Sequence, residues 1–355
     1  GKQLIKEFNL DEGKTPQHFA IGFKEVWEVD NDKHSPGDVV HSMGWPLKGG
    51  TSGGGFLYHF DNNKIAVGLI VDLNYSNPSH SPFQEFQQFK QHPSIKQFLE
   101  LGKRVSYGAR AITKGGINSL VKMEFDGGMI VGCDAGTLNP SKIKGSHCAL
   151  QSGILAAEYI NKVLSEENCD FDDLFKSSAL YKELYESRNF SAAMHKFGFY
   201  LGAAYNFIES NIFRNKLPFT IKDENRDCDS LTLSKSSPIK EYPAPDNVLS
   251  FDITSSLFLS GTNHEEDQPV HLKLTDASIP LAHNKKLYDE PAQRYCPAGV
   301  YEIIEKDGED YFQINAQNCL HCKTCDIKDL SLIHILRAHE TRHDLVCRLL
   351  LEKKK

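Results

Sequence analysis

Ile314-Asn-Ala-Gln-Asn-Cys319-Leu-His-Cys322-Lys-Thr-Cys325-Asp-Ile-Lys-Asp329 carries three cysteines at consecutive x2 spacing, and Cys296-Pro297 stands upstream of it. Two residues between successive thiolates let one tight loop wrap three corners of a metal–sulfur cube. A remote cysteine followed by proline supplies the fourth corner. Bacterial ferredoxin runs use the same parts, although here the Cys-Pro comes first. The pattern points to a [4Fe–4S] cluster on Cys296, Cys319, Cys322 and Cys325, and a cluster implies one-electron transfer. A structural zinc ion would more often take two separated Cys-x2-Cys pairs. A zinc-stabilised interaction module is therefore the non-enzyme alternative.

Working outward, the chain has 355 residues, enough for two or three domains. It is 40% hydrophobic and 25% charged, with a formal net charge of −7. There is no global basic field for nucleic acid. Nine cysteines at irregular spacing do not resemble a secreted disulfide framework. No apolar run reaches the roughly 20 residues that cross a bilayer. The helix-like start at Gly1, without methionine, reads as the later part of a longer protein. The stretch 330–355 reads as a translated sequencing adapter closed by an adenine run, and it is set aside as non-native.

Phe56–Phe60 and Lys64–Asn74 are strand-like, with Asp61-Asn62-Asn63 as their turn. Ser81–Glu100 reads as helix, with Phe83, Phe86 and Phe89 on one face and a break near Pro93. Met123–Cys133 reads as a strand through Gly127-Gly128, and Ser146–Leu164 as a helix. Ser230–Pro245 is Ser-, Lys- and Pro-rich and marks a domain boundary.

Three stretches suggest ligands. Met129-Ile-Val-Gly132-Cys-Asp134-Ala-Gly136-Thr137 is an apolar strand ending in Gly-x-Asp, and Lys144-Gly145-Ser146 opens a helix. Glycines admit a nucleotide cofactor, a carboxylate accepts from its hydroxyls, and a helix start favours a pyrophosphate. A capped turn with no ligand is the plain alternative. The usual Gly-x-Gly-x-x-Gly fingerprint is absent. Gly53-Gly54, in a glycine-rich loop after Gly44-Trp45-Pro46-Leu47, is bare backbone against which a flat head group can lie, or a simple hairpin connection. Phe197–Ile208 is uncharged and aromatic, with Lys196 before it and Arg214 and Lys216 after it, which suits a bilayer interface or a buried core helix.

Taken together, these motifs resemble the electron transfer flavoprotein–ubiquinone oxidoreductase family. The most specific stretches are Gly44–Leu47, Gly53–His59, Lys142–Gly145, Ser260–His264 with Asp267–Pro269, Cys296–Glu302 and Ile314–Asp329. The resemblance implies a mixed α+β and α/β multidomain fold. Part of a glutathione-reductase-like FAD-binding domain is interwoven with a ubiquinone-binding α+β domain, and a ferredoxin-like [4Fe–4S] domain follows. The expected limits are 1–110 for the ubiquinone-binding part and 111–175 for the second half of the FAD-binding domain. Residues 176–220 return to the ubiquinone-binding domain with a membrane-contacting helix, and 221–329 form the cluster domain.

The resemblance further implies a monotopic enzyme of the mitochondrial inner membrane, on its matrix side, or of the bacterial cytoplasmic membrane. Its partners are electron transfer flavoprotein and ubiquinone, not nucleic acid. Carried onto this chain, Gly53 and Gly54 contact the quinone. Gly132, Asp134, Gly136, Thr137 and Gly145 contact FAD. The four cysteines hold the cluster, and no side-chain nucleophile is required. Tyr301 and Thr324 are candidates for hydroxyl bonds to cluster sulfurs, which raise a reduction potential. His147, His264 and His321 read as local hydrogen-bonders. The enzyme alternative is a related flavin and iron–sulfur reductase of another quinone or a lipid.

Overall fold

The computed structural model describes residues 1–48, 50–265 and 267–329, and the backbone of 332–334. The chain is mixed α and β. A five-stranded antiparallel sheet has the order β2-β3-β4-β1-β5. Its strands are β1 (Phe19–Glu28), β2 (Val39–Met43), β3 (Gly53–Phe60), β4 (Lys64–Asp72) and β5 (Lys103–Thr113). The β3–β4 hairpin closes where the sequence placed it. Asn62 and Asn63 both take left-handed backbone there, which asparagine tolerates.

Helix α1 (Lys2–Glu7) precedes the sheet. The Ser81–Glu100 stretch is two helices, α2 (Pro82–Lys90) and α3 (Pro93–Leu99), each started by a proline. Phe83, Phe86 and Phe89 are buried against the sheet as expected. The long strand expected over Met123–Cys133 does not form. Only β6 (Glu124–Phe125) pairs with β7 (Gly128–Met129), because Gly127 turns the chain with φ +83°. Gly132 then adopts φ +67° and opens a 3-10 turn instead of ending a strand. Helix α4 (Ser146–Leu164) matches its reading, and α5 (Phe171–Ser177) and α6 (Ala179–Glu186) pack beside it in a second core.

Helix α7 (Phe190–Asn211) is broken at Gly198, with φ +73° and ψ −178°. The sequence suggested one continuous apolar helix here. After the break the chain folds back, and the Asn206 side-chain amide donates to the Phe190 carbonyl at 3.3 Å. A Cβ at Gly202 would stand 2.9 Å from Ala193 carbonyl oxygen, so only glycine allows this approach. The result is a helical hairpin whose tip exposes Tyr200 (85%) and Leu201 (70%), with Phe207 and Ile212 exposed further along.

The remaining described elements are α8 (Ile253–Phe258), β8 (Leu272–Leu274), α9 (Lys286–Tyr288), α10 (Ala292–Tyr295), β9 (Tyr301–Lys306), β10 (Glu309–Ile314), α11 (Thr324–Lys328) and β11 (Leu332–His334). Leu272, Ala292, Tyr295, Tyr301 and Phe312 from these elements build a third core with Cys296, Cys319 and Cys325, while Cys322 packs into the core of the sheet. β11 pairs with β8; the other residues of the 330–355 stretch read as adapter lie outside the described residues.

Candidate functional site

Cys296, Cys319, Cys322 and Cys325 are all buried, and all four line one pocket with Pro297, Ala298, Leu320 and Thr324. Its loop is tight because His321 and Lys323 take left-handed backbone, with φ 54° and 70°. This turns successive thiols inward. Backbone amides already point at sulfur: Val300 N lies 3.5 Å from Cys296 Sγ and His321 N 3.4 Å from Cys319 Sγ. Burial pushes the Cys296 thiol up to about 12 and raises Cys322 and Cys325 as well. Apolar surroundings of this kind favour neutral thiols unless a cation shares their charge. Metal binding here therefore releases protons.

Neither tuning candidate faces solvent. Thr324 is buried with its hydroxyl 3.4 Å from Cys322 Sγ. The Tyr301 hydroxyl is buried against the Cys325 thiol, with Cys296 and Cys319 nearby. Burial comes first among the causes that hold its proton firmly, followed by the charge of Cys325. A neutral thiol is a weak acceptor, and a sulfide-bearing cluster would offer this hydroxyl a stronger one. The four-thiol pocket and this sulfur-facing hydroxyl fit a [4Fe–4S] group. The three histidines act locally. His147 bonds Glu183 at 2.7 Å, and His264 bonds the Cys319 carbonyl at 2.9 Å. His321 sits with its ring 5.0 Å from that of His264.

The cysteine loop is seated on β5, an edge strand whose outer face would otherwise be unpaired. Ala111 N donates to the Cys322 carbonyl at 2.9 Å, and Tyr107 hydroxyl donates to the Pro297 carbonyl at 2.9 Å. Ala111 pairs with Ile21, Ile21 with Val71, and Val71 with Gly53. One rung of the sheet thus runs from the cysteine loop to the glycine pair. Four spacings, from the Cys322 carbonyl across Ala111, Ile21 and Val71 to Gly53, make it roughly 19 Å long. The glycines also have a packing reason. A Cβ at Gly53 would lie 2.1 Å from Ile70 carbonyl oxygen, and one at Gly54 2.6 Å from Ser42 carbonyl oxygen.

The residues expected at FAD gather around the 3-10 turn. Gly136 has φ +97°, Thr137 hydroxyl is buried without a partner, and Gly145 starts α4 with no side-chain cap. An open helix start and an orphaned hydroxyl fit a pyrophosphate. Asp134 closes the 3-10 turn with its side chain 66% exposed, 3.5 Å from the Gly1 amine. No motif announces the sheet rung, because register is a tertiary property.

Residues 19–112 match the family model for the ubiquinone-binding part of electron transfer flavoprotein–ubiquinone oxidoreductase. Residues 247–336 match the model for that protein's 4Fe–4S part. The electron transfer flavoprotein-ubiquinone oxidoreductase of Pseudomonas aeruginosa is 60% identical over 336 residues, 93% of this chain and 61% of that protein. A probable one from Acinetobacter baylyi is 52% identical, over 93% and 62%. The mitochondrial one from Homo sapiens is 49% identical, over 93% and 56%. The chain spans about three fifths of the length of these curated relatives. The resemblance drawn from its motifs is borne out across most of the chain.

Proposed function

We propose that this chain, with the quinone and 4Fe–4S segments of the electron transfer flavoprotein–ubiquinone oxidoreductases, is the portion of such an enzyme that carries electrons to ubiquinone. The donor is reduced electron transfer flavoprotein. The observation that carries the reading is the single rung joining the Cys322 loop to Gly53. It would hold the two ends of the route at a fixed separation.

Cys296, Cys319, Cys322 and Cys325 would hold the cluster. Gly53 and Gly54 would receive the quinone ring, and Gly132, Asp134, Gly136, Thr137 and Gly145 would take FAD. When bound, FAD and the cluster supply one-electron steps between a single-electron donor and a two-electron acceptor. The protein's part is to fix separations and tune potentials. The limits 1–110 with 176–220, 111–175 and 221–329 are proposed as quinone, FAD and cluster regions. The exposed hairpin tip at Phe197–Leu201, flanked by Lys196, suits shallow insertion into a bilayer surface. Among the described residues no helix is long and apolar enough to cross one. The surface would be the mitochondrial inner membrane on its matrix side or the bacterial cytoplasmic membrane.

The test uses the full-length protein, purified anaerobically. Iron, acid-labile sulfide and visible absorption that bleaches on reduction support the reading, as does ubiquinone reduction dependent on electron transfer flavoprotein. A colourless, iron-free protein overturns it. A coloured protein that ignores this donor points to a related reductase. A second measurement reads the tuning residues. Thr324→Ala with Tyr301→Phe should lower the cluster potential. One lost hydrogen bond worth about 1 kcal/mol corresponds to roughly 40 mV for one electron. An unchanged redox titration removes both hydroxyls from the mechanism.

A further inference from the structure

Titratable groups from separate stretches of chain meet at one end of the sheet, beside the entry to β3. Asp227 Oδ1 lies 2.9 Å from His18 Nδ1, and His18 Nε2 lies 3.2 Å from Asp223 Oδ2. That same Asp223 oxygen is 2.9 Å from His195 Nδ1, and His195 Nε2 is 3.7 Å from Asp72 Oδ2. Lys114 Nζ donates to Asp72 Oδ2 at 2.6 Å, and Lys328 Nζ donates to the Asp227 carbonyl at 3.1 Å. His18 precedes β1, Asp72 ends β4, Lys114 follows β5, and His195 comes from α7. Asp72 N also donates to the Ser52 carbonyl at 2.9 Å, immediately before Gly53.

Water reaches the row at both ends. The His18, His195, Asp72 and Asp227 side chains are nearly closed to it, while Asp223 is 13% exposed and Lys114, bonded to Asp72, is 20% exposed. Asp72 Oδ1 is buried with no partner. A purely static ion-pair cluster has no use for an unfilled acceptor there. Ubiquinone reduction needs protons as well as electrons, and the glycine pair itself offers no acid.

We propose that Asp223, His195 and Asp72 conduct protons from solvent to a quinone at Gly53–Gly54, with His18 and Asp227 as positioning residues. This rests on the quinone-reducing function proposed above. Two electrons arriving along the electron route and two protons arriving along this row convert two C=O groups to two C–OH groups. Each proton leaves His195 Nε2 for Asp72 and then the quinone oxygen, and His195 is recharged through Asp223. The 3.7 Å step is longer than a hydrogen bond, as catalytic contacts often are without substrate.

The charges agree with this direction. Burial and the nearby charge of Lys114 work against a charged imidazole, but Asp223 and Asp72 outweigh them and raise His195 above its ordinary value. His18 rises to about 9 by the same balance, with Asp223 and Asp227 as partners. Both histidines therefore hold a proton more firmly than a free imidazole does. Burial would raise Asp72, but Lys114 and His195 hold it low, so a proton only passes through.

The experiment compares wild type, His195→Gln and Asp223→Asn in the full-length enzyme with two acceptors. Ubiquinone takes electrons and protons; ferricyanide takes electrons alone. In His195→Gln, ubiquinone reduction at neutral pH should fall about 100-fold, the usual scale for a lost proton-transfer group. Ferricyanide reduction and iron content should hold, and added imidazole should return part of the ubiquinone rate. The wild-type ubiquinone rate should decline as pH rises past the raised value of His195, and the variant should lose that limb. Equal losses with both acceptors, or an unchanged ubiquinone rate in both variants, overturns the relay. A wild-type enzyme that reduces ferricyanide but never ubiquinone overturns the quinone reading itself.

Discussion

Cys322→Ser should strip the protein of iron and acid-labile sulfide and abolish its visible absorption. The oxygen of serine is a harder, poorer ligand for this metal than thiolate. Removing a group that merely supports a ligand already costs about 10- to 100-fold in metal affinity, so removing the ligand should cost more. Electron delivery to ubiquinone should fall beyond about 100-fold by the same comparison. The backbone should survive, because the bond from Ala111 N goes to the Cys322 carbonyl, which serine keeps. The matched control is Cys169→Ser. Cys169 is half-buried, outside the pocket, and its thiol makes only a long contact with the Asp170 carbonyl. Full iron content in Cys322→Ser, or the same loss in Cys169→Ser, would remove the thiol quartet from the chemistry.

The quartet was legible because its geometry is local: three of the four thiols lie within seven residues, and the spacing alone dictates a wrapping loop. The β3–β4 hairpin was legible for a similar reason, its asparagines being able to adopt the left-handed turn. Met123–Cys133 was misread because its apolar run is interrupted by glycines at positive φ, which the hydrophobic pattern does not register. The break at Gly198 was hidden in the same way inside an otherwise helical run. The row from Asp227 to Asp72 had no sequence signal at all. His18 and Asp227 are 209 positions apart, and each looks like an ordinary polar residue beside an apolar stretch. Such contacts exist only once the sheet's end, the α7 hairpin and the returning chain have been brought together.

Lys90→Met should lower the thermal midpoint by about 10 °C. Lys90 and Glu25 are completely buried, and Lys90 Nζ donates to both Glu25 oxygens at 3.0 and 2.9 Å. Burial pulls Lys90 down to about 8, against the pull of Glu25, so it remains charged at neutral pH. Removing one partner of a buried pair strands the other charge and costs about 3–5 kcal/mol. At about 2–4 °C per kcal/mol, that is the shift expected. Arg104 and the Trp27 indole still reach Glu25, which puts the cost near the lower bound. Adding Glu25→Gln to Lys90→Met should recover part of the loss, so the double variant should be less damaged than the sum of the singles. Simple additivity would mean that the pair is not coupled. The cluster region should feel the change, since Lys90 and Arg104 both lie against the Phe251 ring and Arg104 donates to Ser256. Phe251 and Ser256 belong to the segment that ends in the cysteine loop. An ion pair that a well-packed apolar cluster would replace without loss of stability can still fix which surfaces meet. Here it fixes the cysteine segment on β5, the strand that starts the rung to Gly53. Lys90→Met should therefore release iron faster than wild type at a temperature where both remain folded, and equal retention would confine Lys90 to stability alone.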